Sequence, residues 1–196
     1  NEMLRQATRE KIQTAAAELF AHKGLAGTSV QQIADRAGIS IGLLYRHYKT
    51  KEALYTEMVE TALEGLSDIT ALFETDGSPK VLINSLVAEI CGDLKENGEF
   101  INTMIFMTQG FLSDPSVGGV DHLIEQDPKM LDATAKLIKR GQDTGEMRPG
   151  DPAAMATLLF SIFQGLGVMM GVLKDQAVLP APESITAFLF PEGGEN

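Results

Sequence analysis

Four side chains within seven residues, Tyr45, Arg46, His47 and Lys51, set hydrogen-bond donors close together. Their chemistry is recognition of anions and base edges. Tyrosine, histidine and lysine donate to phosphate oxygens, and an arginine fork matches the O6 and N7 acceptors of guanine. No other group of residues points to catalysis. Cys91 follows the apolar helical run from Leu86 to Ile90. A nucleophile needs an activating base, so this thiol reads as a small buried hydrophobe. Asp121, His122 and Glu125 put three metal-capable groups on one helical turn, which reads as solvated surface rather than a metal site. Neither Gly-x-Ser-x-Gly nor His-Glu-x-x-His occurs, and no paired acids stand in an apolar context. The chain is therefore expected to be no enzyme and to carry no cofactor.

The donor cluster must be held by helices. Helical spacing recurs throughout, and no alternating pattern is long enough to build a sheet. Ile12, Ala15, Ala16, Leu19 and Phe20 mark a first helix ended by Lys23-Gly24. Val30, Ile33, Ala34 and Ala37 mark a second, led by Thr28 and Ser29 with Gln31 and Gln32 placed for a capping box. Gly38 breaks it, and Ser40 caps a third helix running to about Tyr48. Two short helices joined by a glycine turn have the layout of a helix-turn-helix, with the small Ala34 at the crossing and Ile39 plugging the turn. With Leu44 and Tyr48 facing inward, Ile41, Tyr45 and Arg46 face outward from what would be the recognition helix. The amides near Ser29 and Ser40 sit at helix N-termini, which favour phosphate.

Beyond this module, Leu54, Met58, Ala62, Leu66, Ile69 and Phe73 form the stripe of a long helix capped by Thr50. Ser78-Pro79 opens a fifth helix through Leu82, Leu86, Ile90 and Leu94, and Phe100 to Leu112 is a sixth. Ser116 to Gly119 reads as a break, and Asp127-Pro128 is expected to restart a helix running to about Gly141. From Met155 to Leu173 there are 19 residues without a charge, preceded by Asp151-Pro152. That length meets a membrane span. Thr157, Ser161, Gln164 and three glycines, without flanking basic clusters, favour a helix buried in a core or an oligomer interface, so no membrane partner is expected. Pro180-Ala181-Pro182 precedes a last short helix. Asn1 to Arg5 shows no apolar leader, and one free thiol suits a reducing cytosol, so the location expected is cytoplasmic.

Charge divides at the same place. The chain holds 16 Lys and Arg against 27 Asp and Glu, a net −11, which taken whole argues against nucleic acid. Residues 1–51 contain eight basic and four acidic residues, or +4. Residues 52–196 contain the other eight basic and 23 acidic residues, or −15. A basic amino-terminal module on an acidic body is the pattern of a reader of a polyanion.

The run Gly27-Thr28-Ser29-Val30-x-x-Ile33-Ala34-x-x-Ala37-Gly38-Ile39-Ser40-x-Gly42-x-Leu44-Tyr45-x-His47-Tyr48-x-x-Lys51-x-x-Leu54 resembles the signature of TetR-type transcriptional regulators. Leu137-Ile138-Lys139-Arg140-Gly141-Gln142-x-x-Gly145-Glu146 is similar to a later stretch of that family. The resemblance implies an all-α homodimer. Residues 1–50 would be a three-helix DNA-binding domain with the helix-turn-helix, and 51–196 a larger helical domain for ligand binding and dimerisation. It implies dimerisation through about 151–173 and 182–190. Carried over by position, it puts DNA contacts on Thr28, Ser29, Ser40, Ile41, Gly42, Tyr45, Arg46, His47 and Lys51. Ile41 and Leu43 depart from the polar residues often found there, and contact with thymine methyls is a use open to them.

The carboxy-terminal body is rich in phenylalanine and methionine, which suit an adaptable apolar pocket. The pocket expected there takes Phe73, Met104, Met107, Phe111 and Phe163 as walls, with Gln164 to orient a ligand. The overall expectation is a repressor that binds a palindromic double-stranded operator as a dimer and is released by a small apolar or weakly polar effector. A helical carrier or enzyme that has lost DNA binding is the alternative.

Overall fold

The computed structural model describes residues 2–96, 103, 106, 108, 120–173 and 176–191. Among these, every regular element is a helix: α1 (Glu2–Lys23), α2 (Val30–Ala37), α3 (Ile41–His47), α4 (Lys51–Phe73), α5 (Pro79–Glu96), α6 (Val120–Asp143), α7 (Pro152–Leu173) and α8 (Pro182–Thr186). The chain divides into two compact units. One comprises residues 1–63 and 102–123, the other 64–101 and 124–196. The fold is all-α, with an amino-terminal helix-turn-helix and a larger helical body.

The first unit is built on small and aromatic residues. Ile12, Ala16 and Phe20 of α1 are buried with Ile33 and Ala34 of α2, Leu44 of α3, and Leu54 and Val59 of α4. The Phe20 ring meets the Tyr55 ring edge-on at 5.4 Å, and Phe106 lies 4.9 Å from Tyr55. Such edge contacts add about 0.5–1.5 kcal/mol to the burial of the rings. Phe106 therefore completes the core of the amino-terminal unit, although it is far along the chain.

The second unit has its own core. Phe73, Ile83, Val87, Ile90, Leu137, Ile138, Leu159 and Phe163 are all buried in it. Cys91 belongs to this cluster, and burial pushes its thiol up, as suits an inert core residue. Ser78 opens α5 as the spacing predicts, its Oγ accepting from the Val81 amide at 3.3 Å. The stretch Arg140 to Arg148 then clips the unit together. Arg140 donates to the Gly77 carbonyl at 2.9 Å, and Gln142 donates to the carbonyls of Arg148 and Gly150. Glu146 accepts from the Ser78 hydroxyl and from the Lys80 amide, so a carboxylate sits at the positive end of α5. The Arg148 amide donates to the Leu189 carbonyl at 2.8 Å.

One expectation needs correction. Pro128 does not start a helix; it lies inside α6, which already runs from Val120. A proline inside a helix removes one backbone bond, and here the neighbouring turns carry the helix through. The segment 182–190 holds the short helix that its proline-rich start predicts, the five-residue α8 followed by a turn, with Ile185 and Leu189 buried in the core of their own unit.

Glu146 generates a pH prediction. The Ser78 hydroxyl holds its carboxyl below the usual range; burial opposes this, and the Lys80 amide, Thr144 and Arg140 reinforce it. A carboxyl more acidic in the folded than in the unfolded chain stabilises above the unfolded value, and that contribution is lost as pH falls through the folded one. Thermal melts should place Glu146→Gln below the parent at pH 7. The gap should close as the pH drops below about 4.

Candidate nucleic-acid interface

The turn between α2 and α3 is set by caps at both ends. Ser29 Oγ accepts from the Gln32 amide at 3.2 Å, and Gln32 Oε1 accepts from the Ser29 amide at 3.0 Å, a complete capping box. Gly38 ends α2 at φ +67°, a left-handed conformation that costs other residues about 1–2 kcal/mol. The Ile39 amide then donates to the Ala34 carbonyl at 3.0 Å, and Ala34 is fully buried where the helices cross. Ser40 Oγ accepts from the Leu43 amide at 3.2 Å and starts α3.

That start fixes which face of α3 points out. Leu44 and Tyr48 are buried, as the spacing predicts. Ile41 is 38% exposed and Tyr45 49% exposed, and Gly42 and Arg46 are exposed beside them. His47 is half-buried. These residues present a continuous outward surface on α3.

A polar node ties the end of α3 to its neighbours. Glu57 of α4 accepts from Arg9 and from Gln13 of α1, the latter at 2.7 Å. The Tyr48 hydroxyl donates to the same carboxylate at 2.7 Å, and the Arg9 guanidinium lies 5.3 Å over the Tyr48 ring. Burial, then the bond to Glu57, pushes the Tyr48 phenol well up. Bonding to Glu57 also raises Arg9. The phenol stays protonated and donating at every physiological pH. Sequence reasoning placed Tyr48 inward but missed the node. The signal was there: a buried phenol needs an acceptor, and Arg9 and Gln13 are one turn apart on α1.

The loop before α2 is equally constrained. The Thr28 hydroxyl donates to the Gly24 carbonyl at 2.8 Å and the residue is 2% exposed. Lys51 donates to the carbonyls of Leu25 and Thr28, both at 2.8 Å. A Cβ on Gly27 would lie 2.3 Å from the Lys23 carbonyl oxygen, so glycine is required there. The Thr28 side chain therefore faces inward, away from the outer surface on which the resemblance sets it. The Lys51 ammonium holds the loop with two of its three donors and leaves its charge at the loop's edge.

Beside this loop lies an open groove of ≈ 540 Å³, lined by Gly27, Ser29, Val30, Tyr45, Lys49, Thr50 and Lys51 among others. The first turns of α2 and α4 both meet it, and Thr50 Oγ1 caps α4 by accepting from the Ala53 amide at 3.0 Å. Two helix N-termini, two lysines and a phenol, set against the single carboxylate of Glu52, make a groove suited to an anionic group. Lys49 and Thr50 were not among the expected contacts.

The residues expected to form a pocket are less well gathered. Phe73 and Phe163 share the core of the second unit. Gln164 is exposed on α7. Met104, Met107 and Phe111 lie outside the described residues.

Residues 12–58 match the family profile of bacterial regulatory proteins of the tetR family. The match runs from the buried Ile12 to α4 and so contains the groove, most of the polar node and the outward face of α3. The HTH-type transcriptional regulator YerO of Bacillus subtilis is 26% identical over 185 residues, 92% of this chain and 61% of its own length. The A-factor receptor protein of Streptomyces griseus is 29% identical over 164 residues, covering 81% of this chain and 53% of the receptor. The chain thus spans between half and two thirds of these curated relatives. Among solved structures, the SmeT–triclosan complex covers 95% of this chain and 93% of its own at TM-score 0.63 and 25% identity. SmeT is the repressor of the Stenotrophomonas maltophilia multidrug efflux pump SmeDEF. By their names, YerO and SmeT are regulators and the A-factor receptor is a receptor; none is an enzyme.

The polar node predicts a graded stability series. Tyr48→Phe removes one donor and leaves Glu57 with Arg9 and Gln13, at a cost of about 1 kcal/mol. Glu57→Ala leaves three donors without their acceptor and should cost about 2 kcal/mol or more. Urea denaturation followed by circular dichroism measures both, and equal losses from the two variants would contradict the node.

Proposed function

The amino-terminal domain of this chain belongs to the TetR family of bacterial regulatory proteins, and from that premise we propose that the protein is a transcriptional repressor. It binds a pseudo-palindromic operator in double-stranded DNA as a homodimer, in the cytoplasm, and a small apolar or weakly polar effector releases it. The observation that carries this reading is the outward face of α3 beside the anion-suited groove. In this reading α3 enters the major groove, with Arg46 on a guanine and Tyr45, His47 and Lys49 on the backbone. The amides at the start of α2, next to Ser29, receive a phosphate in the groove. Ser40 holds the start of α3 against the DNA. Thr28 and Lys51 act by fixing the loop that shapes the groove, with Lys51 adding charge. Residues 1–50 are the DNA-binding domain of the proposal and 51–196 the domain for effector and dimer.

The dimer of this proposal uses α7. One side of that helix is buried in its own core through Ala156, Leu159 and Phe163. Another side exposes Leu158, Val168, Met169 and Val172, with Met169 52% and Val172 71% exposed. Ser161 and Gly165 lie in the same stripe. A Cβ on Gly165 would meet nothing within 4 Å, so the stripe is smooth where a second helix would cross. By length and composition, Pro152–Met170 is also apolar enough to cross a membrane. A second copy of α7 covers the stripe without that.

The effector of this proposal binds in the second unit, with Phe73, Phe163 and Gln164 as the expected contacts that lie there. That SmeT binds triclosan supports an apolar effector. The effector acts by its differential affinity for DNA-bound and released states, and α4, which begins beside the groove and ends at Phe73, transmits the difference.

Two measurements test the reading. In a titration against a duplex from upstream of the gene, Tyr45→Ala with Arg46→Ala should weaken specific binding about hundredfold. Unchanged binding would remove α3 as the reading element. In sedimentation velocity, Leu158→Glu with Met169→Glu should convert a dimer to a monomer, and a parent that is already monomeric would overturn the α7 interface.

A further inference from the structure

Operator selectivity is left open by Arg46 alone, and the first turn of α3 supplies a second element. A single exposed isoleucine is ordinary on a protein surface. Ile41 differs by its neighbours. It is the first residue of α3 and 38% exposed, one turn before Tyr45 on the same side of the helix. Next to it stands Gly42, and a Cβ there would meet nothing within 4 Å. Glycine in a helix costs about 1 kcal/mol relative to alanine, and neither packing nor a left-handed backbone requires it at this position. What Gly42 provides is bare backbone beside Ile41, so an outside surface can come close to the start of the helix.

The exposed residues sharing this surface, Tyr45 and Arg46, are polar at their tips. Ile41 has no donor or acceptor, so it cannot read a hydrogen-bonding edge. In the major groove the apolar feature it can meet is the C5-methyl of thymine. Resting on the proposed reading of DNA by α3, we infer that Ile41 is a specificity-determining residue that packs on a thymine methyl in each operator half-site. Gly42 permits the approach, and the β-branched side chain, stiff at χ1, presents its methyls in a fixed direction. Exchange of that thymine for uracil deletes the methyl and leaves every hydrogen bond of the base pair in place.

The test begins with selection of a binding sequence from random duplexes with the full chain, followed by uracil substitution at each thymine of the selected site. One thymine per half-site should be methyl-sensitive, its replacement lowering affinity about fourfold. Ile41→Ala should bind the thymine and uracil duplexes equally while keeping the parent's melting temperature, because the side chain is not part of the core. A selected duplex on which no thymine is methyl-sensitive overturns the assignment. So does sensitivity that persists undiminished in Ile41→Ala. Absence of any salt-dependent duplex binding would instead overturn the DNA-reading function itself, and with it this inference.

Discussion

The amino-terminal unit depends on one carboxylate. Glu57 receives donors from two positions on α1 and from the residue that ends α3. Without it, α3 is a seven-residue helix held by the buried Leu44, the Tyr48 ring and the Ser40 cap, and helices of that length do not persist alone in water. The geometry also answers what a tyrosine does at position 48. Its ring is buried like any core aromatic, and its hydroxyl converts that burial into a directional bond to α4. Any motion of α4 that shifts Glu57 therefore shifts the end of the recognition helix. That makes α4 the natural carrier of effector control in the proposed mechanism.

Local chemistry was readable from the residues, and long-range pairing was not. The capping box at Ser29 and Gln32, the left-handed Gly38 and the inward Leu44 each follow from neighbours within one or two turns. The α4 stripe from Leu54 to Phe73 follows from helical periodicity. Pro128 misled because a proline near an aspartate is locally a good helix start, and α6 overrides that preference. The short helix after Pro180-Ala181-Pro182 was legible because prolines on both sides limit its length. Glu57, Phe106 and Glu146 were missed for a common reason. Each acts through a partner distant in sequence, at Arg9, Phe20 and Ser78, and no local pattern announces such a pair.

Charge was read correctly in sum and too simply in detail. The +4 of residues 1–51 suggests eight interchangeable cations facing a polyanion. In the fold, Arg9 is committed to Glu57 and Arg36 is paired with Glu18. Lys51 is committed to two loop carbonyls. Arg46 and Lys49 are exposed on or beside the outward face. A basic domain can therefore use three of its eight cations for its own architecture and still offer a directed positive surface. What directs that surface is the pair of helix N-termini at the groove, which add field without adding residues.

That economy bears on why the proposed reader must work in pairs. The outward face of α3 offers Ile41, Gly42, Tyr45 and Arg46, of which the proposed reading sets Arg46 and Ile41 on base edges. A good bidentate contact is worth about 1–3 kcal/mol of discrimination and a methyl contact about 0.8 kcal/mol, whereas a useful operator must beat random sequence by about 4–10 kcal/mol. One copy of α3 reaches only the lower edge of that range at best. Two copies on a two-fold operator double the discrimination without a new contact. They also require a surface that holds the copies at a fixed spacing, about one turn of DNA apart. The exposed apolar stripe on α7 has the composition for that task and no buried role within its own unit. In the proposed reading, the shortness of α3 and the exposed apolar surface of α7 answer one requirement, since a second copy of a short reader adds the specificity that one copy lacks.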